Sequence, residues 1–158
     1  TVSTQTFTPY GDPAGTMAAN VTGQPGGIFL LCLSCHDGVT NLDAYGTAAG
    51  STTIGNVDAN VGLDLRDDHP ISFTYDATLA TNDGELHNPT TQTSGVFLPN
   101  GAASADTVAN DMLFGSSNDQ MECASCHDVH NTATGSTPTS LLVKSISGSA
   151  LCLTCHNK

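Results

Sequence analysis

ECASCHDVH, residues 122–130, carries two cysteines separated by two residues, a histidine directly after the second, and another histidine three residues on. C-x-x-C-H is the pattern of covalent c-type haem attachment. Two thiols add to the two vinyl groups of the macrocycle, two intervening residues give the turn that spaces the sulfurs, and the adjacent imidazole reaches the iron. Cys123 and Cys126 are the expected thioether links and His127 the expected proximal ligand. Read as helix, the segment puts His130 about one turn further along, aimed away from that iron and available to a different haem.

The pattern recurs at Cys32, Cys35 and His36 and again at Cys152, Cys155 and His156, which uses all six cysteines. Histidine occurs only 6 times in 158 residues, so composition does not account for its place after all three pairs. Zinc is the rival, because C-x-x-C pairs also build tetrahedral thiolate sites. Three pairs fit four-thiolate sites poorly, and zinc leaves the recurring histidine unexplained. Three covalently bound c-type haems are the expectation.

Three irons need three distal ligands, and the histidines left over are His69, His87 and His130. Two imidazoles on every iron leave no open position for a small substrate. That predicts electron transfer at low potential rather than catalysis. Pro70 biases His69 toward extended backbone ahead of the alternating Ile71, Phe73 and Tyr75. His87 sits in a polar loop. The plain alternative for each is a solvated loop residue. Met17, Met112 and Met121 are the reserve ligands, with packing or an exposed loop as their ordinary roles.

Leu, Ile, Val and Phe together make up roughly a fifth of the chain, near the fraction at which a highly charged sequence fails to fold. There is no Trp. Haem macrocycles supply the missing apolar surface, so the expected architecture is one domain over residues 1–158, organised around stacked haems. It is mostly irregular, with a few short α-helices at the haem motifs and minor short strands; without haem it is expected to be largely unfolded. The net charge of −12 rests on only three cations, Arg66, Lys144 and Lys158, which excludes nucleic acid and anionic lipid as partners. No apolar run reaches the length of a membrane span. Covalent haem attachment takes place outside the cytoplasmic membrane, so an extracellular or, alternatively, periplasmic location is expected.

Along the chain, residues 1–27 read as an extended polar arm, and Asn20 with Thr22 forms a lone glycosylation sequon. Residues 28–75 hold the first haem region, opened by IFLLCLSCH, a short helix stopping near Gly38. Residues 40–62 read as loop with one short strand, and 76–119 as a loop-rich connection with one helix over 106–114. Residues 120–158 hold the second and third haems, with a strand at 141–143 and Ser149 capping the last helix. Arg66 among Asp64, Asp67 and Asp68 suggests a solvated loop or a partner for a haem propionate.

LCLSCHDG, DHPISF, ECASCHDVH followed by LLVK, and the final LCLTCH together resemble the doubled-CXXCH group of multihaem cytochromes, over residues 28–38, 66–75 and 120–158. The group includes secreted cytochromes that polymerise into extracellular filaments, in which a histidine of one subunit can ligate a haem of the next. The resemblance implies a homopolymer, with redox proteins or extracellular electron acceptors as partners. It assigns the three C-x-x-C-H sets to haem attachment and matches His69 and His130 to distal ligands. Filament-forming relatives generally carry more haems, and the small trihaem carriers are shorter and rich in lysine. A monomeric periplasmic carrier is the second reading, and a haem enzyme with an open iron the third.

Overall fold

The computed structural model describes residues 2–11, 17–19, 23–130 and 141–158, and the chain divides into two units: residues 1–13 with 21–72, and residues 14–20 with 73–158. The sequon at residues 20–22 lies outside the described residues, as do residues 131–140.

The first unit is built on helix α1, Phe29–His36, whose Phe29 and Leu33 are buried with Phe7 and Leu65. No side chain caps its start, so tertiary packing of this apolar run holds it helical. It stops where expected, at Asp37, because Gly38 takes φ +75°. Glycine is required there twice over: a Cβ would also sit 2.5 Å from the Asn60 side-chain oxygen. Residues 40–62 form turns without the expected strand. The first described residues of the arm are spent inside this unit. Thr8 bridges Asp64 in parallel, with its amide on the Leu63 carbonyl (2.8 Å) and its carbonyl receiving the Leu65 amide (2.9 Å). The Gln24 side chain pairs with the other face of that strand, accepting from the Phe7 amide and donating to the Phe7 carbonyl at 2.6 and 2.9 Å. A side-chain amide stands in for a neighbouring strand.

In the second unit, strand β1 (Phe73–Thr74) pairs antiparallel with β2 (Gln120–Met121), with Phe73 opposite Met121. The strand expected over 71–75 is cut short by Ser72 at φ 56°, yet the alternation survives, with Phe73 and Tyr75 both buried. Helix α2, Ala77–Asp83, occupies what read as loop. Its signals are in the sequence: Asp76 accepts from the Leu79 amide as N-cap (2.7 Å), and Gly84 at φ 76° closes the far end. Helix α3, Val108–Met112, is the core of the helix expected at 106–114, capped by Thr107. It buries Val108, Ala109 and Met112; Met121 is buried too, so both methionines are packing residues rather than ligands in waiting.

Three expectations near the haem motifs are corrected. The second motif opens in a 3-10 turn, Cys123–Ser125, and leaves helical structure at His127, so His130 is not placed by a helix. The strand at 141–143 is a single bridge between Leu142 and His127. Helix α4, Cys152–Cys155, is not capped by Ser149, which has φ 60° in the preceding turn. In the first two cases the pairing of residues 126–128 with 141–143 overrides the local pattern, and at Ser149 a local 3-10 turn over Ser147–Ser149 does so.

Candidate haem-attachment sites

None of the six cysteines is in a disulfide, as thioether formation requires; Cys35 and Cys152 are exposed and the other four are partly covered. At the first motif, Nδ1 of His36 lies 2.7 Å from the Ala59 carbonyl oxygen. A carbonyl only accepts, so Nδ1 carries the proton and the lone pair is on Nε2, the tautomer an iron ligand needs. Asp37, the next residue, is buried. It accepts from the amides of Val39 (3.0 Å) and Thr40 (2.7 Å) and from the hydroxyls of Thr40 (2.6 Å) and Ser3 (2.7 Å). Burial works to raise its pKa, but these bonds, Thr40's side chain foremost, together hold the carboxyl below its ordinary range. His69 is exposed in this unit, its Nδ1 2.7 Å from the Pro70 carbonyl, which selects the same tautomer. Arg66 pairs with Asp64 at 2.5 Å on the exposed loop and so already has its carboxylate.

The second and third motifs lie together. The Cys126 and Cys155 thiols are both pushed up by burial, Cys155 to about 12, and each feels the charge of Cys152. Two main-chain seams fix this arrangement. Val143 donates to the Cys126 carbonyl (2.9 Å) and Asp128 to Leu141 (2.7 Å), while Leu86 bridges His156 and the His87 amide donates to the Cys155 carbonyl (2.8 Å). The buried Tyr75 hydroxyl spans the second seam, 2.6 Å from the His87 carbonyl and 3.3 Å from that of Cys155. His87 is thereby brought beside the third motif. His130 sits on an exposed turn after the second, its amide on Asp128 (2.9 Å).

Glu122 is a position that the motif itself does not single out. It is buried next to Cys123, with one carboxylate oxygen in a capping box with Ser125 and the other, Oε2, without a hydrogen-bond partner. Burial pushes its pKa up to about 7. Glu in the pattern E-x-x-S gave a capping signal, but nothing local announced the burial.

The near-repeat LCLSCH and LCLTCH buries its leucines differently, and only the first copy has a buried one. Leu33 is 1% exposed and Leu31 58%, whereas Leu153, at the place equivalent to Leu33, is 41% exposed. Apolar side chains are thus left on the surface beside both motifs, as they are at Ile28, Val39 and Val129. Thiol pairs, an adjacent imidazole and uncovered apolar surface are the donor set and the bed that a covalently bound haem needs. Among the described residues no three His, Cys, Asp or Glu side chains converge as a metal-ion site of their own.

These features define a protein that holds c-type haem through C-x-x-C-H motifs. Residues 116–158 match the family described as the doubled CXXCH motif, which covers the second and third sets and is the pattern of multihaem c-type cytochromes, proteins of electron transport. No curated protein matches the chain. No helix among the described residues is long and apolar enough to cross a membrane.

Bound haem supplies a one-electron couple. Toward it, Cys32 with Cys35, Cys123 with Cys126, and Cys152 with Cys155 would form the covalent links. His36, His127 and His156 would hold the iron from one side. The Ala59 carbonyl orients the His36 ring, and the seam through Leu86 and His87 fixes the backbone at His156.

Proposed function

We propose that the chain is a trihaem c-type cytochrome that moves single electrons through closely spaced haems, each with two histidine ligands. His69, His87 and His130 serve as the distal set. The observation that carries this reading is the tie between the second and third motifs, in which Val143 donates to the Cys126 carbonyl (2.9 Å) and the next residue, Lys144, donates to Thr154 (2.7 Å), because neighbouring attachment motifs bring two macrocycles into short electron-transfer range. Two imidazoles per iron leave no vacancy for a substrate, which favours conduction over catalysis.

The setting is outside the cell, as the subunit of a conducting filament. An acidic surface with three cations suits stacking on copies of itself less through charge than through the uncovered apolar side chains, among them Tyr45, Val57 and Ile146. Intact-mass measurement of the holo-protein is expected to show three haems, with an all-low-spin ferric spectrum. Electron microscopy of protein taken from the cell exterior is expected to show filaments with a regular repeat. Discrete particles carrying three low-spin haems would make it a monomeric carrier, and a high-spin iron that binds cyanide at native pH would favour the enzyme reading.

A further inference from the structure

Each motif carries a hydroxyl at its second intervening position: Ser34, Ser125 and Thr154. In the two α-helical motifs this hydroxyl donates backward to the carbonyl four residues earlier, Ser34 to Leu30 (2.5 Å) and Thr154 to Ala150 (2.9 Å). What the hydroxyl accepts differs from site to site. Ser34 accepts from the Ser3 amide (2.8 Å), Ser125 from the Glu122 amide (2.9 Å), and Thr154 from the Lys144 ammonium (2.7 Å).

The charged groups beside the motifs differ as well. The first has the buried carboxylate of Asp37 directly after His36, and the second has the buried carboxyl of Glu122 directly before Cys123. The third is flanked in sequence by the neutral Leu151 and Asn157 and receives a cation instead. Lys144 is one of three cations in the chain. Arg66 and Lys158 are exposed and each is paired with a carboxylate, Asp64 and Glu85, at 2.5 Å. Lys144 is half-buried and bonds only neutral oxygens among the described residues, the Ser94 carbonyl (2.8 Å) and Thr154. Gly95 makes room for it: a Cβ there would lie 3.2 Å from the ammonium nitrogen.

We propose that Lys144 sets the redox level of the third haem site, making it the highest-potential of the three and the place where an electron entering the chain comes to rest. The proposal builds on the trihaem reading above. The step is a plain one-electron gain, taken from a reduced donor protein or a neighbouring haem, with no bond made or broken. A fixed positive charge stabilises the reduced, less positive site, while the buried Asp37 carboxylate at the first does the opposite and no buried cation stands beside the second.

The test is spectroelectrochemical titration of the holo-protein, with each haem assigned by NMR contacts from its methyl groups and those of the third site identified through Thr154. Lys144→Gln and Lys144→Met are expected to lower the third potential by about tenfold in its equilibrium constant, ~59 mV for one electron. Lys144→Arg is expected to restore most of it, and Lys158→Gln, which removes a charge already paired on the surface, to leave it in place. A third potential unmoved in both uncharged variants, with three haems still bound, overturns the proposal. So does loss of the third haem from both, which would assign Lys144 to folding alone. A wild-type haem count other than three would instead undo the trihaem reading, whatever Lys144 does.

Discussion

The main-chain amide of His87 donates to the carbonyl of Cys155 across 2.8 Å, so a histidine from the middle of the chain is tied to the last haem motif. The Tyr75 hydroxyl reinforces the tie from below by donating to both residues' carbonyls. Tyr75→Phe keeps the buried ring and removes only that hydroxyl. The expected cost is about 1–2 kcal/mol of stability in chemical denaturation, with a weakened third site and an unaffected first.

His87 is expected to be an iron ligand, and its loss is visible directly. His87→Ala should convert one of three ferric irons from low to high spin, read by electron paramagnetic resonance, without changing the number of haems attached. Low-spin signals at all three irons in the variant would remove His87 from the ligand set.

Glu122 makes stability depend on pH in an unusual direction. Its folded pKa, about 7, stands above its ordinary 4.5 because burial disfavours the charged carboxylate. The stability it contributes is therefore present in full below about 4.5, falls as pH rises, and is lost above about 7. Glu122→Gln retains the capping geometry and should abolish that slope. At pH 8 the variant should be the more stable by about 2 kcal/mol in urea unfolding.

Asp37 works the other way. Its folded pKa is depressed, so its contribution is present above the ordinary carboxylate pKa and is lost as pH falls through the folded value. Asp37→Ala orphans the buried Ser3 hydroxyl and frees the turn at Val39 and Thr40. It should cost about 2–3 kcal/mol at neutral pH, and the wild type should lose that advantage in acid.

Much of this was legible beforehand. The helix at the first motif, its stop at Gly38, the apolar alternation at Phe73 and Tyr75, and the helix around Val108 and Met112 follow from local pattern. Helix α2 was also written locally, in Asp76 and Gly84, but the polar composition around it masked the caps. What no local pattern carried was the pairing of distant backbone. The seam between Leu86 and His156, the bridge from His127 to Leu142, and the Gln24 amide on Phe7 depend on contacts far apart in sequence. These contacts place His87 and take His130 off a helix. The burial of Glu122 and the reach of Lys144 to Thr154 belong to the same class, since burial is a property of the assembled unit.

The seam also sets an order of events. Residues 85–87 pair with residues 155–157, about seventy positions further along, so this seam closes only when both segments are free to dock. Once it closes, the Cys155 thiol is buried and its proton is held tightly, and a protonated thiol is a poor nucleophile. Maturation is therefore expected to run attachment first and docking second. Cys155 must meet its vinyl group while residues 155–157 are still undocked, and closing the seam then seals a bond already made.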